Sequence, residues 1–234
     1  MILRYDRSPV ADDTALRWFG WTMVGGAALR SWIPDVFERY ARILHPAERW
    51  TGGPTEWVRW KELSAWSGKP LAPTSSVHDL ALRDDGATWP GPETERPLEG
   101  QLQPPHMDHL LGILAGGTAS PTELWLLVWN GYGTQEDLSQ DAVVEIHPSW
   151  HGFRAYFLFR GSFDVSEVNE EIMFEPPSFW WPEDRAWFVS TDIDASSTYV
   201  GGSSALIGQL MSDDLLEVLP AELDDPFDGP PFSP

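Results

Sequence analysis

The sequence predicts an α+β fold, with N-terminal helices followed by a mainly antiparallel sheet that carries helices packed on one face. Three observations lead there. Ile33, Val36, Phe37, Tyr40, Ile43 and Leu44 recur at helical spacing, with Arg39 and Arg42 outside the apolar face. After residue 103 the texture changes to short apolar runs such as Leu124–Trp129, which Asn130-Gly131 ends with a turn signal. Ala186–Thr191 is rich in aromatic and β-branched residues, which suit a pleated, buried surface, and a helix start follows it at Ser203 or Ser204.

Taken in order, residues 1–15 are polar and read as loose, and Ala15–Met23, with Trp18, Phe19 and Trp21, reads as a strand or buried segment broken by Gly25-Gly26. Pro34 fits the first turn of a helix, where its missing N–H costs nothing, so Pro34–Leu44 is predicted helical and His45-Pro46 ends it. Gly52-Gly53-Pro54 is a turn. Thr55 then caps a second helix to about Trp66, with Trp57, Trp60 and Leu63 at helical spacing and Gly68 as its stop. A short helix is expected around Ser76–Leu82. Residues 83–103, rich in Pro, Gly and charge, read as a long surface loop. In a chain read as a single domain, that loop is the candidate boundary between a helical front (1–82) and a sheet-forming back (104–222). Pro105–Leu114 should be helical, burying Met107, Leu110, Leu111 and Leu114.

Strands are expected at Leu124–Trp129, Ala142–Ile146 and Phe153–Phe159, with an edge strand around Ile172 in the acidic stretch Asp164–Phe174. Trp180-Trp181-Pro182 reads as a bend at the sheet edge, because proline cannot donate to a ladder. Ala186–Thr191 is the buried strand, and Leu206, Ile207, Leu210 and Met211 form a helix face. Leu215–Leu219 is a last strand or a helical turn. Leu223–Pro234, proline-rich and acidic, reads as a frayed tail.

The chain has 234 residues, enough to bury roughly 70–75% of its unfolded surface. It contains no cysteine, which excludes disulfides, thiolate metal sites and cysteine nucleophiles and fits a reducing compartment. The first residues hold no long apolar run, and nothing approaches the ~18 apolar residues of a membrane span. The expectation is a cytoplasmic protein with no membrane partner. The net charge of −21 is uneven: residues 1–100 hold 14 acidic and 12 basic side chains, residues 101–234 hold 22 acidic and 3 basic, Arg154, Arg160 and Arg185. Such a half repels phosphate backbones, which argues against nucleic acid, and attracts a basic partner. The plainer meaning of the acidity is solubility.

Trp180-Trp181-Pro182, Asp184-Arg185-Ala186-Trp187, Thr191-Asp192-Ile193-Asp194 and Thr198-Tyr199-Val200-Gly201-Gly202-Ser203 together resemble a module of uncharacterised tryptophan-rich acidic proteins of actinobacteria. The resemblance extends to Ser31-Trp32-Ile33-Pro34 through Leu44-His45-Pro46-Ala47 and to Trp125 through Gly133. It implies continuity of fold and no catalytic residues. Size, acidity and an α+β pattern also give a class-level likeness to bacterial immunity proteins.

Candidate site residues cluster between 180 and 194. Adjacent residues on an extended chain face opposite ways, so one of Trp180 and Trp181 can fill the core while the other faces a groove or a partner, although burial of both in the core is the favoured reading. Trp89, inside the polar loop, is a second indole expected at the surface. Glu183, Asp184, Asp192 and Asp194 could converge on a hard cation, although solvated strand-end carboxylates are the simpler reading and no metal is expected. His106 and His109 are three apart on a helix, and His147 and His151 flank Pro148 and Trp150; zinc would need further ligands in either case. Gly201-Gly202-Ser203-Ser204 could offer N–H groups to an anion, but without a phosphate-loop lysine an ordinary capped turn is favoured. No Gly-x-Ser-x-Gly elbow and no cofactor signature is present.

The functional expectation is therefore a non-enzymatic acidic protein that binds a basic protein partner, with a toxin-neutralising immunity protein as its specific form. The ligand or partner contacts are assigned to Trp180, Trp181, Asp184, Asp192, Asp194 and Trp89. The alternatives are an enzyme or small-ligand-binding protein with a Trp/Asp-lined pocket near 180–194, and a structural subunit of an assembly.

Overall fold

Runs of residues buried on both sides decide the architecture. The computed structural model describes residues 2–6, 8–19, 28–88, 93–135, 137–149, 152–164 and 175–228. Its strands are β1 (Ile2–Tyr5), β2 (Arg39–Leu44), β3 (Ala47–Arg49), β4 (Glu56–Val58), β5 (Thr94–Glu95), β6 (Leu124–Trp129), β7 (Val143–Ser149), β8 (Gly152–Asp164), β9 (Phe179–Pro182), β10 (Trp187–Ser190), β11 (Ser197–Gly202) and β12 (Glu217–Ala221). The α-helices are α1 (Trp60–Ser67), α2 (Val77–Leu80), α3 (His106–Gly116) and α4 (Ser204–Met211), and a 3₁₀ turn covers Asp13–Phe19. One large sheet runs β1-β8-β6-β9-β10-β11-β2-β12, with β7 also on β8, and a small sheet runs β4-β3-β5. Every pairing is antiparallel. The long β8 pairs with β6 along one edge, while β7 and β1 take opposite ends of the other. Gly161 sits where β1 and β6 both approach: an added Cβ would lie 2.4 Å from the Arg4 carbonyl and from a Leu126 methyl, so only glycine fits.

The two faces of the large sheet are covered differently. On one, α3 and α4 bring Leu110, Leu111, Leu114, Leu206, Ile207 and Leu210 against Val128, Phe157, Trp180, Trp187 and Val189. On the other, irregular chain brings Leu16, Leu29, Trp32, Ile33 and Phe227 against Leu127, Leu158, Phe179, Trp181 and Phe188. A third cluster beneath α1 and α2 joins Leu44, Ala47, Val58, Trp60, Leu63, Val77 and Leu80.

The expectation of N-terminal helices is corrected. Arg39–Leu44 is not the end of a helix but β2, hydrogen-bonded between β11 and β12. Its helical-looking spacing arises because both faces of the strand are buried: Ala41 and Ile43 enter one cluster, Tyr40 another and Leu44 the third. A strand covered on both sides has no clean alternation. Val36, assigned to the apolar helix face, is 60% exposed. Thr55 caps nothing, since Glu56–Val58 pairs with β3. The helix begins at Trp60, where the Glu217 carboxylate from β12 accepts from the N–H groups of Trp60 (2.6 Å) and Lys61 (3.0 Å). The Trp180-Trp181-Pro182 bend is also corrected: it is β9, lying between β6 and β10 inside the sheet. Proline is tolerated there because Pro182 is the last residue of its strand. The helices at 77–80, 106–116 and 204–211 and the strands at 124–129, 143–149, 152–164 and 187–190 lie where the sequence places them. Residues 20–27 and 165–174, including the edge strand expected at Ile172, and Trp89 lie outside the described residues.

A buried polar layer crosses the sheet where β2 meets β11. Arg42, 3% exposed, donates from Nε to Ser197 Oγ (3.0 Å) and from Nη1 to the Pro73 and Ser75 carbonyls (both 2.8 Å). Its Nη2 faces Asp228 Oδ2 at 3.2 Å, and its guanidinium lies 5.1 Å from the Trp60 ring. Asp228 also accepts from Ser197 Oγ (2.8 Å), and its N–H donates to the Tyr199 hydroxyl (3.0 Å), whose pKa burial pushes up to about 12. The acidic tail is thus not frayed through residue 228. Phe227 stacks on Trp32 (4.3 Å) and Tyr199 (5.0 Å), and the backbone of 223–225 accepts from Leu29 and Arg30. Hydrophobic and charged anchors outweigh the proline-rich composition that suggested fraying. Removing one member of a buried ion pair strands the other, so Asp228→Ala should cost about 3–5 kcal/mol in denaturant unfolding.

His45, at the end of β2, faces the Leu98 carbonyl with Nδ1 (2.9 Å) and Thr198 Oγ1 with Nε2 (2.9 Å); Thr198 Oγ1 also meets Thr191 Oγ1 at 2.8 Å. A carbonyl can only accept, so Nδ1 carries the proton and Nε2 accepts from Thr198. Burial, opposed in part by the Leu98 bond, lowers the His45 pKa to about 4 from 6.5. Between these values the unfolded chain binds the proton and the folded one does not. Stability should therefore be full above about pH 6.5 and fall by ~3 kcal/mol as pH drops to about 4. Denaturant titrations across that window should show this slope, and His45→Gln should flatten it.

Candidate functional site

The register of β8, β6 and β9 puts Arg160, Trp125 and Trp181 in one cross-strand row: Trp125 pairs with Arg160 on one side and with Trp181 on the other. Directly opposed residues share a sheet face, so the three side chains line up. The Arg160 guanidinium lies 3.5 Å from the centre of the Trp125 ring. Trp181 stacks on Phe188 of β10 at 5.5 Å and 16°. Glu183, just after β9, accepts from Trp125 Nε1 (2.8 Å) and Arg160 Nη1 (2.7 Å) through one oxygen and ties indole and cation together.

The N-terminal segment walls this row. The Val10 N–H donates to the Leu158 carbonyl (2.7 Å), anchoring the chain on β8. The 3₁₀ turn then lays Trp18 against Trp181 and Phe188, both at 6.4 Å. Asp12 accepts from the Thr14 N–H (2.8 Å) and hydroxyl, and these bonds hold its carboxyl below the usual range. Arg185 closes the rim with its guanidinium 5.2 Å from the Trp18 ring. Between wall and row is a cleft of about 280 Å³, lined also by Val10, Thr14 and Ala15.

Arg185 holds φ +58°, the left-handed region that costs a residue with a Cβ about 1 kcal/mol or more. The neighbouring Asp184 keeps the turn in place. Its carboxylate accepts from Thr118 Oγ1 (2.8 Å), the Ala119 N–H (2.7 Å) and the Ala186 N–H (3.1 Å), and its own N–H donates to Ser120 Oγ (3.0 Å). Burial alone would raise the Asp184 pKa, but these bonds outweigh it and set it below the usual carboxylate value.

The residues singled out from the sequence are separated. Trp180 and Trp181 do face opposite sides of the sheet, and both are buried. Trp180 packs edge-on to Trp187 (5.1 Å), far from solvent, whereas Trp181, though only 1% exposed, forms part of the cleft floor. Asp184 is the clamp behind the rim. Asp192 is 2% exposed, and its Oδ1 accepts from the Asp194 N–H (3.0 Å) in the turn after β10. Glu183 and Asp184 precede β10 while Asp192 and Asp194 follow it, so roughly 10 Å or more of strand divides the pairs. Among the described residues no group of three or more His, Asp or Glu side chains is placed to hold a metal ion. His106 is buried with its ring edge-on to Trp57 (5.0 Å), while His109 turns to Asp213 (2.6 Å). The side chains of His147 and His151 lie outside the described residues. At the glycine-serine turn, Ser203 Oγ accepts from the Leu206 N–H (3.2 Å) and Glu38 accepts from the Ser204 N–H (2.8 Å), so the start of α4 is capped from within the protein.

Sequence reasoning missed Trp18, Trp125 and Arg160 as cleft residues. Trp125 falls within the apolar run 124–129, and only strand register brings Arg160 beside it. Trp50, at 67%, is strongly exposed at the end of β3, a position no sequence signal distinguished.

No protein family, curated protein or solved structure matches the chain. Residue roles therefore rest on geometry alone. Among the described residues no helix is long and apolar enough to cross a membrane.

Asp184→Ala should cost about 1 kcal/mol near neutral pH, the low end for bonds to a charged group because the carboxylate is solvent-accessible. The folded-state pKa is depressed, so this contribution is present above the ordinary carboxylate pKa and fades as pH falls through the folded value. Unfolding of both proteins at pH 7 and pH 3 should show the difference shrinking.

Proposed function

We propose that this chain is a non-enzymatic cytoplasmic protein that binds a basic protein partner through the acidic outer surface of its C-terminal half, with a toxin-neutralising, immunity-type role as the specific form. The observation that carries this reading is the outward placement of the acids. Asp108, Glu123, Asp137, Asp141, Asp214, Glu222 and Asp224 are exposed, whereas Asp192 and Asp228, the partner of Arg42, turn inward. Arg160, one of the few cations there, is already paired with Glu183. Such a surface carries a sustained negative potential that steers a basic protein into contact.

The cleft at Trp181 favours a second reading, a small-ligand-binding protein, in which Trp181 of the originally singled-out residues takes part.

The partner reading is tested by affinity capture from a cell extract at about 50 and 500 mM salt, followed by binding rates with the purified captured protein. A basic partner captured only at low salt is expected, and the double reversal Asp108→Lys with Asp214→Lys should slow its association by about tenfold or more. Capture of no basic protein at low salt, or an unchanged rate in the reversal variant, would refute it.

A further inference from the structure

We propose that the cleft between the N-terminal segment and the Arg160–Trp125–Trp181 row binds the carboxylate of a small aromatic or apolar acid, with Arg185 as the anion anchor. This goes beyond the partner reading and does not depend on it. The cleft has four charged lining residues, Asp12, Arg160, Glu183 and Arg185. Three are satisfied locally: Asp12 by Thr14, and Glu183 and Arg160 by each other, with Trp125 Nε1 added. Arg185 makes no ion pair among the described residues; its guanidinium has only the face of Trp18. With Glu183 closed on Arg160 and Asp12 held by Thr14, Arg185 is the charged lining group left to meet an incoming anion.

The chemistry of the rest narrows the ligand. A guanidinium is a planar fork that matches a carboxylate through two parallel bonds. One such fork, without a lysine in the lining, suits a monoanion better than a phosphate dianion. Val10, Ala15, Trp18, Trp125 and Trp181 supply an apolar, largely aromatic lining on which a flat body can rest. A volume of about 280 Å³ is at the small end of ligand pockets, enough for a single ring with a short acidic arm.

The backbone supports the assignment. Arg185 occupies a left-handed conformation in which glycine would be unstrained, and strain of this kind persists where the side chain has a task. Asp184 and Glu183, the two residues just before it, hold the turn that aims it.

Phenylacetate is a suitable probe and phenylacetamide its uncharged counterpart. In a nitrogen–proton correlation titration, phenylacetate should shift the indole N–H signals of Trp18, Trp125 and Trp181, each assigned by its Trp→Phe variant. The amide should bind about tenfold or more weakly. Arg185→Gly, which removes the guanidinium and relieves the positive φ, should leave the remaining spectrum in place and weaken phenylacetate binding by about tenfold or more. Arg185→Lys, which keeps the charge but not the fork, should fall between. Absence of shifts at about 10 mM phenylacetate, equal binding of acid and amide, or parent-like binding by Arg185→Gly would each overturn the assignment.

Discussion

The buried guanidinium of Arg42 is the constraint around which this fold is built. A cation on a central strand, covered on both faces, is tolerable only when every donor is met and a counter-charge is near. The chain supplies these from distant places: Ser197 from the neighbouring strand, two carbonyls from the 73–75 loop, and Asp228 from the tail. Each contact closes a different segment over the sheet. The tail is held because its carboxylate is needed inside, and once there it seats Phe227 between Trp32 and Tyr199. The long connection from β2 to the C-terminal strands is fixed as much by this polar layer as by apolar packing.

The unequal covering of the two faces follows from the same arrangement. Helices α3 and α4 seal one face with aliphatic side chains. The other face is closed by short turns and the tail, which can cover a twisted sheet only in patches. The row from Arg160 to Phe188 lies under the N-terminal part of that cover, where Trp18 reaches Trp181 and the cleft separates the turn from Trp125. The concave site lies between the 3₁₀ turn and the cross-strand row beneath it. The cleft is thus a consequence of topology, and its residue content, aromatic floor and arginine rim, gives it chemical character.

How much of this was legible depended on whether neighbours in sequence were also neighbours in space. The cap at Ser203 before α4 and the stop at Gly68 after α1 were readable because each acts within a few residues, whereas Thr55 misled because the carboxylate at the start of α1 comes from distant Glu217. Leu124–Trp129 and Ala186–Thr191 were readable as strands because short runs of apolar, aromatic and β-branched residues suit a buried strand. The stretch from Ile33 to Leu44 misled because burial on both faces removes the period of two, and chance spacing then mimics a helix. Tail and cleft were hidden for a shared reason. Asp228 finds Arg42 across 186 positions of sequence, and Trp125 meets Arg160 only through register, which no single-strand pattern reveals. The opposed facing of Trp180 and Trp181 and their burial in the core were readable; that Trp181 would floor a cleft was not, since the wall depends on elements remote from it.

The distribution of cations joins the acidic surface to the cleft. After residue 100 the chain has three basic side chains, and two of them, Arg160 and Arg185, border one cavity. Concentrating cations there leaves the rest of the half without neutralisation, so the outer field is negative while the cleft lining itself is balanced. A small anion approaching the protein meets a repulsive long-range potential and an attractive local one, and screening by salt weakens the first more than the second. A basic partner experiences the opposite order, with strong attraction at distance and, at the rim, repulsion from Arg185. If both occupants bind, linkage requires each to change the affinity of the other by the same factor. The sign follows from charge: an anion on Arg185 removes the local repulsion toward a basic surface, so occupancy of the cleft strengthens docking of a partner whose footprint reaches the rim and leaves unaffected one that docks on the far helices.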